Sequence, residues 1–215
     1  MPTALITGFA PFDGEAINPS LEIAGALHGK VIAKHRIVGA ELPTEFARSL
    51  PALATLIEKH RPVLVIALGQ AGGRSEISLE RVAINLIDAR IADNAGAQPI
   101  DAAVVESAPA AYFSSLPLKA MLLRLHDAGI PAALSHSAGT FVCNQVFFGL
   151  AHVLATKYPN TRGGFIHVPY LPQQAAKFAT APSMALATMI DALRIAVETA
   201  LTTKQDAHFA AGSTH

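Results

Sequence analysis

"PVLVIALGQAGGRS", residues 62 to 75, decides the architecture of this chain of 215 residues. Its first eight residues are apolar almost without interruption and too few for a helix of ordinary length. They are rich in Val, Ile and Leu and end in glycines, which is the signature of a strand buried on both faces. Such strands belong to parallel sheets covered by helices on each side. The rest of the sequence supplies those helices. Upstream, "TALITGF" (3–9) reads as another buried strand, followed by Asn18 as helix cap, Pro19 in the first turn and Gly29 as the stop. "VIAKHRIVGAEL" (31–42) reads as one strand, and "TEFARSLPALATLIEKH" (44–60) as a helix broken near Pro51.

Downstream, "ISLERVAINLI" (77–87) is rich in β-formers, and residues 88–110, full of Ala, Asp, Gly and Pro, read as a long surface excursion bordering a site. Helical and extended patterns then alternate: "PLKAMLLRLHDAG" as helix, "IPAALSHS" as strand, "FVCNQVFFGLAHVLATKY" as helix, "GGFIHVP" as strand and "SMALATMIDALRIAVETAL" as a final amphipathic helix. The tail after Lys204 is expected to fray. With no linker or repeat, residues 1–215 are expected to form one α/β domain. Its three layers, α/β/α, enclose a twisted, mostly parallel central sheet that admits mixed pairing.

Half the residues are apolar, and 16 basic side chains balance 16 acidic ones, so no charge footprint points to nucleic acid or anionic lipid. No basic-then-apolar leader and no stretch near about 18 consecutive apolar residues is present, which leads to the expectation of a cytoplasmic protein. A lone cysteine and the lack of C-x-x-C or H-E-x-x-H spacing speak against a disulfide and a structural zinc site.

In doubly wound sheets, ligands bind beyond the carboxyl ends of strands. "GFAPF" follows the first strand, "GQAGGR" the central one and "AGTFVC" the strand starting near Ile130, and His167 closes "GGFIH". Four distant segments are therefore expected at one edge. "GQAGGRS" lacks the Lys-Ser/Thr of a P-loop and the G-x-G-x-x-G spacing, so it reads as a tight turn, plain or set against a small ligand with Gln70 contributing an amide. Phe9, Phe12 and Phe141 sit in connections, where aromatics either plug the core or line an apolar pocket. Cys143 reads either as a small buried hydrophobe or as a nucleophile. In favour of the nucleophile, "SAGTFVCN" runs through a glycine into a helix, whose free N–H groups and dipole favour thiolate and an oxyanion. His167 is the best placed base among nine histidines; His28, His60, His126 and His152 lie on helices or at their ends, and His208 and His215 in the tail. Glu80, an acid within an apolar strand, is a candidate to orient the imidazole; alternatively it is salt-bridged to Arg81 or Arg74 at a sheet edge.

Four segments, "TGFAPFDGEAINPS", "GQAGGRSEISLERVAINLIDARIADNAG", "AGTFVCNQVFFGL" and "GGFIHVPYLPQQ", together resemble in order and spacing the pyroglutamyl peptidase type I family, also called pyrrolidone-carboxylate peptidases. The resemblance implies Cys143 as nucleophile, His167 as general base and acid, and Glu80 as the orienting carboxylate. It further implies Arg90 near the oxyanion, and Phe9, Phe12, Gln70, Phe141 and Val142 around the substrate ring. It implies peptides with an N-terminal pyroglutamyl residue as substrates, no metal or other cofactor, and a cytosolic homotetramer. One departure is Gln173 of "LPQQ", where family members more often carry Glu. A noncatalytic small-ligand binding homologue and a nucleoside-phosphorylase-like enzyme on a similar fold stand as alternatives.

Overall fold

The computed structural model describes residues 1–212. Strand β1 (Thr3–Phe9) leads into helix α1 (Pro19–Leu27), capped as expected by Asn18, whose side chain accepts the Ser20 N–H. The "VIAKHRIVGAEL" segment is not one strand. Ala33 and Lys34 take positive φ (46° and 64°), the two-residue turn whose twist suits a hairpin, and they divide β2 (Val31–Ile32) from β3 (His35–Leu42). Helix α2 (Phe46–His60) runs through Pro51 without the expected break. Pro51 and Ala47, whose carbonyl loses its N–H partner, both face solvent, so water can satisfy that carbonyl while Phe46, Leu53 and Ile57 hold the opposite face in the core.

The apolar run of the central strand forms β4 (Leu64–Gln70), buried up to Gln70. Next, "ISLERVAINLI" divides between two sheets: β5 (Ile77–Glu80) joins the main one, and β6 (Val82–Ile84) leaves to pair with β7 (Ala111–Phe113). Helix α3 (Leu118–Asp127), β8 (Ala132–Ser135), α4 (Val142–Lys157), β9 (Arg162–Val168), a single turn α5 (Pro172–Ala175) and α6 (Leu186–Thr202) complete the chain.

The main sheet has the order β2-β3-β1-β4-β9-β5-β8. Its β3–β1, β1–β4, β4–β9 and β5–β8 pairs are parallel, while β2–β3 and β9–β5 are antiparallel. One face carries Ile6, Leu64, Ile66, Leu79 and Ile166 against α1, α3 and α6; the other carries Leu5, Val65, Ala67 and Phe165 against α2 and α4. This is the expected mixed sheet between two helical layers. It corrects one detail of the site's placement: β5 and β8 run opposite to β1, β4 and β9, so the carboxyl end of β8 does not share their edge. Ser135 is level with Glu80 and hence with Phe165, two residues short of His167, and residues 136–141 must climb back by about 7 Å to bring α4 to that edge.

Within the described residues the tail makes side-chain contacts with α3. Pro117 offers α3 no side-chain cap, and the Asp206 carboxylate supplies one, accepting the N–H groups of Lys119 (3.2 Å) and Ala120 (2.8 Å). Lys119 Nζ also bonds the Phe209 carbonyl and sits over the Phe209 ring. His215 lies outside the described residues.

Candidate active site

Cys143 is the second residue of α4, and its position is fixed by its two successors. Asn144 accepts the Ile84 N–H (3.1 Å) and donates to the Ile84 and Leu86 carbonyls (2.9 Å each). Gln145 accepts from the Ser49 hydroxyl (3.1 Å) and donates to the Phe46 carbonyl (2.8 Å). The start of the helix is thus tied to the β6 segment on one side and to α2 on the other. Phe141 provides no side-chain cap, so the first N–H groups of α4 remain available to a negative oxygen.

The sulfur lies over Gly69. A Cβ at that glycine would stand 2.8 Å from Cys143 Sγ and 2.8 Å from Phe165 Cζ, so the thiol occupies the place where β4 omits a side chain. In the β4–β9 ladder Gly69 is paired with His167, and paired residues of adjacent strands project from the same face about 4.8 Å apart. The thiol and the imidazole are therefore neighbours across one strand spacing. On the next strand, Glu80 Oε1 lies 2.7 Å from His167 Nδ1. Glu80 is fully buried and His167 nearly so, with the Phe165 ring centred 4.9 Å from the imidazole.

Burial by itself would raise the Glu80 carboxyl. The hydrogen bond and charge of His167, with Ser135 and Arg74, outweigh it and hold Glu80 below the ordinary carboxylate value. An ionised Glu80 can only accept, so Nδ1 carries the proton and, in the neutral ring, Nε2 has the free lone pair. Burial, followed by the negative charge of Glu80, pushes the Cys143 thiol up to about 12, with Arg74 opposing. Desolvation and a nearby carboxylate thus oppose the thiolate that the positive end of the helix favours. A thiol so placed is held in its protonated form, and a neighbouring imidazole with a free lone pair is the group that could take its proton.

Glu80 satisfies both sequence readings at once. Arg74 Nη1 donates to Oε1 at 2.8 Å, the same oxygen that faces His167, but Glu80 is interior and not at an edge, because β8 lies outside it. Phe12 and Phe141 are half-buried with rings 6.2 Å apart, and Phe46 meets Phe141 edge-on at 5.2 Å. Phe9 is buried against Phe165 and is the core plug of the trio. Phe46 was missed; its sequence signal was a fourth aromatic, placed just after a strand in "LPTEF". Val142 is wholly buried, so only its backbone can face a ligand. The Gln70 side-chain oxygen accepts from Gln174 (2.9 Å), leaving its NH₂ group as the donor. Gln173 is exposed, so the departure there alters only the surface.

The 88–110 excursion is fastened to this wall. Buried Asp93 accepts the Phe46 N–H (2.7 Å), Asn94 donates to the Pro11 carbonyl (2.9 Å), and the Thr140 hydroxyl donates to the Asp88 carbonyl (2.7 Å). Arg90 is exposed on the same segment and, among the described residues, enters no ion pair with the site. No three His, Cys, Asp or Glu side chains gather as a metal ligand set among the described residues, and no helix there is long and apolar enough to cross a membrane.

The family model for pyroglutamyl peptidase matches residues 3–203. The chain belongs to the pyroglutamyl peptidase family. A pyrrolidone-carboxylate peptidase of Cupriavidus taiwanensis is 56% identical over 216 residues, spanning the whole of both chains. The crystal structure of pyroglutamyl peptidase I from Bacillus amyloliquefaciens superposes with a TM-score of 0.95 at 45% identity, covering 98% of this chain and 100% of that one. The pyrrolidone carboxyl peptidase of Thermococcus litoralis gives 0.94 at 41% identity, with the same coverage. The two alternatives, a noncatalytic binder and a nucleoside-phosphorylase-like enzyme, find no support in these matches.

Proposed function

We propose that this chain is a cysteine peptidase that removes an N-terminal pyroglutamyl residue from peptides, with Cys143, His167 and Glu80 as its working centre. The carrying observation is the Glu80–His167 pair at 2.7 Å, set one strand from a thiol lodged over Gly69. His167 Nε2 takes the thiol proton as sulfur attacks the scissile carbonyl. The tetrahedral oxyanion is held by free N–H groups at the start of α4, with Arg90 as the outlying cation. The imidazolium, stabilised by Glu80, protonates the leaving amine, and the thioester is hydrolysed by water that the same imidazole activates.

Phe12 and Phe141, backed by Phe9 and extended by Phe46, form the apolar wall for the lactam ring, and the Gln70 NH₂ with the Val142 backbone supplies polar contacts. The chain acts as one peptidase domain. The family resemblance supports a cytosolic homotetramer, which light scattering on the purified protein checks.

Release of a chromogenic amine from its pyroglutamyl amide tests the reading. Wild-type protein turns it over, Cys143→Ala does not while remaining folded, and the matching prolyl amide is slower by at least about 10³ in kcat/KM. A prolyl substrate brings a charge among aromatic rings and strands the groups meant for the lactam. Turnover by Cys143→Ala overturns the mechanism, and equal rates on both amides overturn the lactam pocket.

A further inference from the structure

The glycine turn after β4 lacks the spacing of a phosphate-binding loop, and the reaction as drawn leaves it without a task. Its last residue supplies one. Gly73 takes φ +87° and Gly72 passes under the Tyr170 ring, where any Cβ would collide, so the turn folds back tightly. Arg74 emerges from it with its guanidinium spread across three segments. Nη1 donates to Glu80 Oε1 at 2.8 Å and lies 3.4 Å from the Ser135 hydroxyl, while Nη2 donates to the Ser137 carbonyl at 3.2 Å. Ser137 belongs to the connection that climbs from β8 to the nucleophile.

We infer that Arg74 is a positioning residue of this reaction: it fixes Glu80 Oε1 against His167, braces the connection leading to Cys143, and supplies the positive charge that offsets Glu80 beside the thiol. The inference rests on the proposed peptidase reading. Glu80 Oε1 receives both His167 and Arg74, while Oε2, buried, has no partner among the described residues. Arg74 is the cation that holds Oε1 in place; without it the carboxylate is freer to turn its other oxygen toward the imidazole. The ionisable groups around the thiol are Glu80 from β5, His167 from β9 and Arg74 from the β4–β5 connection. Gly69 of β4 contributes none, and Asp88, on the segment bonded to Thr140, is exposed. Arg74 is the one group that favours the ionised sulfur in the same balance in which Glu80 opposes it.

The test uses the whole protein with Arg74→Met, which keeps much of the volume without the charge, and Arg74→Lys, which keeps the charge without the fork. The rate of Cys143 alkylation by iodoacetamide, followed against pH by mass spectrometry, reports the thiol without requiring turnover. In Arg74→Met the alkylation profile moves to higher pH by about 0.5–1 unit, the discount from a full buried charge reflecting a side chain that is one-third exposed. Its kcat on the pyroglutamyl amide falls by about 10- to 100-fold with KM little changed, because the ring wall is untouched. Arg74→Lys restores the alkylation profile but only part of kcat. An unmoved profile in folded Arg74→Met overturns the inference, as does a kcat loss matched by the loss of folded protein. If Arg74→Met does not fold, Arg74→Lys decides alone: a wild-type alkylation profile with reduced kcat supports the role, and a shifted profile or full kcat overturns it. Failure of wild-type turnover would instead strike at the peptidase reading, which the alkylation measurement does not depend on.

Discussion

Gly69→Ala adds one methyl group directly beneath the Cys143 thiol. The backbone there has no positive φ, so alanine is conformationally acceptable and the entire effect is steric. The new Cβ would lie 2.8 Å from Cys143 Sγ, 2.8 Å from Phe165 Cζ and 3.0 Å from Phe165 Cε1. Since apolar contacts relax to about 3.5–4.0 Å, the sulfur and the Phe165 ring must each retreat by about 0.7–1.2 Å. Phe165 is fully buried between Phe9, Phe147 and the His167 ring, so the ring has little room to yield and the thiol takes much of the movement. A displacement of about 1 Å in a reacting atom costs about 10² in rate, and overpacking of this kind costs about 1–3 kcal/mol of stability. The expected outcome is a variant that folds with a lowered Tm, binds a pyroglutamyl inhibitor with little change, and has kcat reduced about 100-fold. Stopped-time assays of amine release, inhibitor titration and thermal unfolding separate the three quantities. Wild-type kcat in a folded Gly69→Ala protein would refute the placement of the thiol over this residue, and with it the argument that puts Cys143 one strand from His167.

The raised thiol has a consequence for stability. An ordinary cysteine ionises near 9.0 in the unfolded chain but at about 12 here, so between those values the native state holds a proton that the unfolded state releases. This contribution is complete below pH 9 and is lost as pH rises, by up to about 1.4 kcal/mol per pH unit. Urea unfolding at pH 8 and pH 10 should show wild type losing more stability than Cys143→Ala; equal losses would deny the shift. At the opposite end of the molecule, Asp206→Ala removes the cap of α3 and should cost about 1 kcal/mol, a fall of about 2–4 °C in Tm, with kcat and KM unchanged. An unaltered Tm would mean that the tail does not hold the helix.

The layers and most of the strands were legible because apolar runs of seven or eight residues and helical periods alternate cleanly along the chain. Cys143, His167 and Glu80 stood out for a related reason: each is a reactive side chain in an otherwise apolar stretch, and the structure sets His167 and Glu80 on adjoining strands with Cys143 at the start of α4 over the next strand. Strand direction was not legible. Nothing in "ISLE" or "AALS" marks them as running against β9, because side-chain alternation is the same in either sense. The break inferred at Pro51 failed because exposure, which decides whether a missing N–H matters, is a tertiary property. Arg74 was visible only as one of two possible partners for Glu80; its reach to Ser137 spans 63 residues of sequence. The surroundings of the thiol were hidden for a similar reason, since the sequence displays the helix terminus but not the burial or the carboxylate beside it.

The placement of β9 bears on how the protein is made. The last strand of the chain is laid into the interior of the sheet, between β4 and β5. Roughly 90 residues separate the end of β4 from the start of β9, so at synthesis rates of about 5–20 residues per second the two flanking edges wait about 5–20 s for their partner. Through that interval the emerging chain presents unpaired apolar edges, the condition that invites wrong pairing and chaperone capture. The same strand delivers His167, so the ribosome finishes the sheet and the proposed base in one stroke. No shorter nascent fragment can cleave a peptide, and a defect that delays the insertion of residues 162–168 will lower the yield of enzyme without altering the activity of the molecules that succeed.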